Sequence, residues 1–447
     1  MQRYDLLIRQ GTLVTPAGMG QGDVGIRAGR IVAIGELDPA AAGETVEALG
    51  LHVLPGVIDT QVHFREPGAE HKEDLEHGLK GAALGGVTAV FEMPNTSPLT
   101  TDAERLADKV ERAGATAACD FAFYVGATPD NVGDLAALER RPGCCGVKIF
   151  MGSSTGDLLI EDDETLRAVL ENGSRRVAVH AEDENRLRER FAIAEESADV
   201  AAHAEWRDAE TAIRATGRLL ELVRQTGRRV HVLHITTGAE MELLAAAKDL
   251  ASVEVTPQHL TLAAPECYER LGTRAQMNPP IREAAQQAAL WHSLAAGIVD
   301  IIGSDHAPHT LEEKAKPYPQ SPSGMPGVQT LLPLLLDHVN AGRLSLQRLV
   351  DLVSAGPARL FGIIGRGRLA VGYEGSLTLV DMGAKRRIEG SWIASRCGWT
   401  PFADMNVLGW PHATVIRGRV VMRDGEVLGA PRGAMVRFGD CLRSGAT

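Results

Sequence analysis

Between residues 54 and 364 short apolar runs alternate with longer helix-like segments, and this alternation constrains the fold more than any other feature of the chain. The strand candidates are Val57 to His63, Val87 to Glu92, Phe121 to Val125, Gly146 to Phe150, Arg176 to His180, Val230 to His234, Ser252 to Val255 and Val299 to Gly303. Helix candidates lie between them, among them Asp102 to Ala113, Glu164 to Glu171, Ala209 to Arg224, Ala239 to Asp249 and Arg282 to Ala295. Such alternation calls for parallel strands joined by helical crossovers. Eight strand candidates within about 300 residues point to an α/β fold of the TIM-type (β/α)8 barrel. A doubly wound open sheet is the competing arrangement. It would place a Gly-rich dinucleotide turn after its first strand, and none follows Val57 to His63.

The two ends have a different texture. Asp5 to Ile8, Asp23 to Ile26 and Arg30 to Ile34 are short strand patterns split by Gly-rich turns, and Ser376 to Val380, Ala413 to Gly418 and Arg419 to Met422 repeat the pattern. Neither end carries enough apolar residues to stand alone. A chain of 447 residues exceeds what one core usually holds. Residues 1–53 and 365–447 are therefore expected to pair into one small β-sandwich beside a barrel of residues 54–364. The Ala-rich run from Ala192 to Ala215 reads as plain helix.

Acidic residues outnumber basic ones, 58 to 46, for a formal charge of -12. That balance argues against nucleic acid and anionic membrane as partners. It leaves room for a small acidic substrate, because a metal ion and a local Arg reverse the sign inside a pocket. The six cysteines show neither metal spacing nor a disulfide framework, and adjacent Cys144 and Cys145 read as buried thiols. The apolar run near Leu331 is too short to span a bilayer, and the N-terminus enters a strand pattern directly. A reducing cytoplasm is the expected compartment.

Chemistry collects where the strands end. His63 ends the first strand candidate, Lys148 lies in the fourth, His180 and His234 end the fifth and sixth, and Asp305 follows the eighth. In a barrel all five fall on the C-terminal rim, where active sites sit. One His at a strand end is unremarkable; three at the same end, joined by an Asp, mark a shared metal site. Imidazole and carboxylate without thiolate suit zinc, manganese or a similar divalent ion. Arg65, two residues beyond His63, is placed to grip a carboxylate. Lys148 is costly in an apolar strand unless it is paired, snorkels out, or is carboxylated to an anion that bridges cations.

These residues stand within strings that resemble the cyclic amidohydrolases of the amidohydrolase superfamily, and within them the dihydroorotase family. The strings are His63-Phe64-Arg65-Glu66-Pro67-Gly68, Met93-Pro94-Asn95-Thr96, Val147-Lys148-Ile149-Phe150, Val179-His180-Ala181-Glu182, Leu233-His234, Asn278-Pro279-Pro280-Ile281-Arg282 and Ser304-Asp305-His306-Ala307-Pro308-His309. The resemblance implies that His63, carboxylated Lys148, His180, His234 and Asp305 ligate one or two divalent ions, most often zinc. It implies that Asp305 also moves the proton, that Arg65, Asn95 and His309 hold the substrate carboxylate, and that Asn278 meets the ring amide. The implied reaction interconverts N-carbamoyl-L-aspartate and dihydroorotate. A homodimer is expected. One position departs: the family's first strand usually offers two His, and the first of them is Gln61 here, a poorer ligand. Two other readings stay open. One is an allantoinase or hydantoinase type of cyclic amidohydrolase. The other is an inactive partner of aspartate carbamoyltransferase. The polar segment Thr310 to Gly324 is expected to be a mobile flap over the mouth. Gly324 to Gly327 is expected to offer backbone donors to the substrate.

Overall fold

The computed structural model describes residues 3–153 and 158–441. Strands β1 (Tyr4–Thr15), β2 (Gly18–Arg27), β3 (Arg30–Gly35), β4 (Ala42–Glu47) and β5 (His52–Pro55) open the chain. Gly18, Gly20 and Gly22, read from sequence as turn residues, lie inside β2 and pair with Thr15, Leu13 and Gly11 of β1. Glycine weakens a strand without forbidding it, and a long antiparallel partner supplies the missing support.

The middle region follows as β6 (Val57–Val62), β7 (Val87–Glu92), β8 (Asp120–Gly126), β9 (Cys144–Phe150), β10 (Val177–His180), β11 (Val230–Val232), β12 (Ala251–Val255) and β13 (Ile301–Ile302). Each agrees with its sequence expectation to within a few residues. All pair in parallel, in chain order. Their residues are buried at every position, as parallel strands covered on both faces require. The ring closes between its last and first strands through Asp59. Its Oδ1 accepts from Ser304 N at 3.0 Å, and His63 N donates to His306 O at 2.7 Å.

Outward-facing Val57, Val90, Val125, Val179 and Val232 pack against helix residues such as Leu79, Leu106, Leu166 and Leu219. Helices begin where sequence chemistry says they should: Asp74, Asp102, Asp162 and Asp208 each accept a backbone N–H of the first turn. Inward-facing Phe91 meets Tyr124, Phe361 and Phe438 edge to face at centroid distances of 6.3, 5.2 and 5.7 Å. Phe361 and Phe438 come from beyond the barrel strands and fill its floor.

Strands β14 (Leu377–Arg387), β15 (Asn406–Ile416), β16 (Arg419–Arg423) and β17 (Glu426–Val427) join the first five in one sheet, with β14 antiparallel to β5. The sheet closes over a shared core in which Leu6, Val24 and Ile31 meet Leu377, Leu379 and Val415. The two ends of the chain therefore build one unit, as their texture suggested.

The Ala-rich run is a correction. It breaks into the helices Phe191–Glu195, Ala202–Trp206 and Ala209–Thr226. Asp208 caps the third helix by accepting from Thr211 N, and Arg207 turns inward to a buried carboxylate. Those two polar commitments outweigh the helical preference of alanine. The described cysteines are all free, and five of the six are buried. Among the described residues no helix is long and apolar enough to cross a membrane.

Candidate active site

The rim positions expected from sequence come together at the C-terminal mouth. Three of these residues, Arg65, His234 and Asp305, hold positive φ angles of 63°, 38° and 44°. Non-glycine residues adopt that region at a cost, so the surrounding fold must impose it, and such strain concentrates at working sites.

The imidazoles form two groups. His63 is buried, which lowers its pKa and favours the neutral ring. Its Nδ1 donates to Asn95 Oδ1 at 2.7 Å, so Nε2 turns its lone pair toward Asp305 Oδ1, 3.2 Å away. His180 Nε2 donates to Glu182 Oε2 at 2.8 Å, leaving Nδ1 to face His234 Nε2 at 3.1 Å. Glu182 is buried, which would raise its pKa. Arg207 and His180 overcome that and hold it ionised. A carboxylate fixing one ring nitrogen so that the other presents a lone pair is the usual support of a metal-binding His. His234 Nδ1 is buried without a partner.

Asp305 is also buried, yet its carboxyl is held below the usual range. Neighbouring His63, with the fields of His234 and Lys148, offsets desolvation. Lys148 is 1% exposed, and its Nζ stands 4.3 Å from the Phe150 ring centroid. Burial pushes its pKa down to about 7, opposed by Asp305 and Glu254. That excludes both the solvent-directed and the simple surface salt-bridge readings of Lys148. Beneath it lies an acidic layer the sequence reading left out. Burial raises Glu254 to about 8 and Asp59 to about 7. Glu254 accepts from Thr60 Oγ1 at 2.9 Å and stands 3.3 Å from His231 Nε2.

The anion-binding side is equally defined. Arg65 is 5% exposed. Its Nε donates to Pro308 O at 3.2 Å, and Nη2 stands 3.3 Å from His309 Nε2. Its acidic neighbours in sequence are engaged elsewhere: Glu66 accepts from Leu75 N and Arg112, and Glu70 accepts from Gly68 N. Among the described residues Arg65 has no ion pair within 4 Å. Asn278 Oδ1 accepts from His203 Nε2 at 2.9 Å. Arg207, Glu182 and Lys72 also went unassigned in sequence. The only signals were Glu182 two residues beyond His180 and Lys72 shortly after Arg65.

Two loop expectations change. The segment from Thr310 is fastened rather than loose. Thr310 and Glu313 form a capping box, and buried Lys314 Nζ donates to the carbonyls of Gln276, Pro322 and Gly324 at 3.1, 2.8 and 3.0 Å. Two of the donors near Gly324 are already used: Gly324 N donates to Gln276 O, and Gly327 N to His306 Nδ1. His306 secures this loop and leaves the substrate side to His309.

As placed, the donors close on each other in pairs. Among the described residues no three His, Cys, Asp or Glu side chains surround a common point. Their chemistry nevertheless fits a divalent ion. His63 Nε2 faces Asp305 and His180 Nδ1 faces His234 Nε2, and neutral imidazoles with an ionised carboxylate are the required protonation states. Gln61 fits less well. Its Nε2 donates to Asp305 Oδ1 at 2.9 Å and its Oε1 is buried without a partner.

A (β/α)8 barrel with imidazole, carboxylate and amine groups gathered at its C-terminal mouth defines a class of barrel hydrolase. Residues 52–421 match the model of the amidohydrolase family. The chain is 39% identical over 389 residues to a dihydroorotase of Halobacterium salinarum, covering 86% of this chain and 89% of that one. It is 34% identical over 446 residues to an allantoinase of Deinococcus radiodurans, covering 97% and 98%. The solved L-hydantoinase (dihydropyrimidinase) of Arthrobacter aurescens superposes with a TM-score of 0.91 at 30% identity, covering 97% of this chain and 99% of that one. The chain belongs to the amidohydrolase family, in its cyclic amidohydrolase branch.

Proposed function

We propose that this cyclic amide hydrolase acts on dihydroorotate and N-carbamoyl-aspartate. Arg65 is the observation that carries the reading. A buried guanidinium at the mouth, whose hydrogen-bond contacts among the described residues are a carbonyl and an imidazole, is left short of partners against an uncharged ring and satisfied by a carboxylate. Allantoin and hydantoin lack that carboxylate. His309 stands beside Arg65; in this reading Asn95 joins them on the carboxylate, and Asn278 meets the ring amide.

His63, His180, His234, Asp305 and carboxylated Lys148 would hold one or two divalent ions, with zinc suited to this donor set. Such an ion supplies polarisation of the amide carbonyl and acidification of water toward a pKa of about 7. Asp305, ionised and buried, accepts the proton of the attacking water and returns it to the leaving nitrogen. Arg65 holds the ring so that this nitrogen stays within reach.

The decisive assay sets dihydroorotate, allantoin and hydantoin side by side. Turnover of allantoin alone removes the assignment. Arg65→Met is expected to raise KM for dihydroorotate about a hundredfold with a smaller change in kcat, because it deletes a charge-assisted bidentate contact. Unchanged constants would dismiss the clamp.

Gln61 supports a site with one firmly held ion, since its amide occupies Asp305 where an imidazole would present a lone pair. Gln61→His is expected to raise bound zinc from about one to about two per chain by elemental analysis; an unchanged ratio removes this account. The same Gln61 contact favours a second reading, an inactive partner of aspartate carbamoyltransferase. Protein that holds no metal after zinc supplementation and turns over none of the three rings would favour it.

A further inference from the structure

Arg65 stands 3.3 Å from an imidazole nitrogen, and whether that nitrogen accepts or donates decides whether the guanidinium is free for a ligand. The ring belongs to His309, which is 1% exposed and has neighbours on both nitrogens. Nε2 lies 3.0 Å from the carbonyl oxygen of Ser323, an acceptor only. Nδ1 lies 3.3 Å from Lys72 Nζ, and an ammonium is a donor only. Both neighbours require the same tautomer: the proton on Nε2, the lone pair on Nδ1. In that tautomer Nε2 offers Arg65 no lone pair, and Arg65 Nη2 keeps its hydrogens for another acceptor.

Glu313 is the competitor. Its Oε2 is 3.6 Å from Nδ1, beyond a good hydrogen bond, while its Oε1 is engaged at 3.1 Å by Lys72. Without the ammonium, Glu313 would draw the ring proton to Nδ1. Nε2 would then accept from Arg65 and occupy the clamp.

We propose that Lys72 is a positioning residue for substrate recognition: by donating to His309 Nδ1 and engaging Glu313, it holds the ring in the Nε2–H tautomer and leaves Arg65 free for the substrate carboxylate. Lys72 itself touches no substrate in this account. The inference rests on the reading of Arg65 as a carboxylate clamp. Lys72 is 19% exposed in its side chain, so its replacement leaves the buried core alone.

The test pairs a measurement that needs no substrate with one that does. In ligand-free protein, nitrogen-15 NMR of the His309 ring is expected to report Nε2–H in the parent and Nδ1–H in Lys72→Met. Lys72→Arg, still a donor without a lone pair, should restore the parent tautomer. KM for dihydroorotate should rise about tenfold in Lys72→Met, the value of one charge-assisted contact, with kcat nearly constant. An Nε2–H ring in Lys72→Met, or a switched ring with unchanged KM, overturns the proposal. Should Lys72→Met fail to fold, Glu313→Gln on the parent background serves instead: the ring must remain Nε2–H, and a switch there overturns the argument. Failure of all dihydroorotate turnover in the parent protein sinks the substrate assignment and leaves the tautomer result readable by itself.

Discussion

Asp305→Asn is expected to reduce kcat at least about a thousandfold while the protein still folds, as read by steady-state kinetics beside circular dichroism. The amide matches the carboxylate in shape, and its oxygen can still accept from Gln61 Nε2, the contact that measures 2.9 Å in the parent. It cannot take a proton from water, and it is a poorer electron-pair donor toward a cation. The stability change has a definite sign. The folded carboxyl is held below its usual range, so ionised Asp305 contributes stability above its unfolded pKa of about 3.9, and that contribution is lost as pH falls through the folded value. The variant should therefore be less stable than the parent at neutral pH, and the gap should narrow in acid. Near-normal turnover would remove Asp305 from the proton pathway.

Much of this site was legible because strand ends are legible. His63, His180, His234 and Asp305 each close an apolar run, and a parallel barrel carries every such end to one face. What stayed hidden depends on packing between segments distant in sequence. Arg207 sits in an Ala-rich run whose helical preference is strong, and only the buried carboxylate of Glu182, 2.6 Å away, shows why the helix breaks there. Glu254 looks like an ordinary polar residue in a strand until the barrel turns it inward beneath Lys148. The flap expectation failed for a similar reason. Its polar composition suggested mobility, while Lys314, which binds three carbonyls at once, reads in sequence as one more surface cation. The positive φ angles of Arg65, His234 and Asp305 leave little mark in residue type: His and Asp tolerate that region better than most, but neither adopts it by default, and Arg gives no such signal.

Lys148→Met is expected to lower bound zinc to well below one per chain and turnover by about a thousandfold or more, and at the same time to stabilise the metal-free protein. Methionine keeps the length and the contact with the Phe150 ring without carrying a charge. The parent pays for its amine through desolvation, which brings the folded pKa down to about 7 from an ordinary lysine value of 10.5. Below the folded value the amine is protonated in both states and the full penalty stands. Between the two values the unfolded chain binds more protons than the folded one, so the parent gains stability as pH rises. The advantage of the variant should thus be a few kcal/mol near pH 6 and fade toward about pH 10, as measured by thermal unfolding of both proteins after metal removal. A variant less stable than the parent throughout that range would mean that the ammonium has a buried partner worth more than its desolvation, and the carbamate reading of Lys148 would lose its footing. A stabilised protein without zinc or turnover would instead identify the lysine as a group kept for chemistry at the expense of the fold.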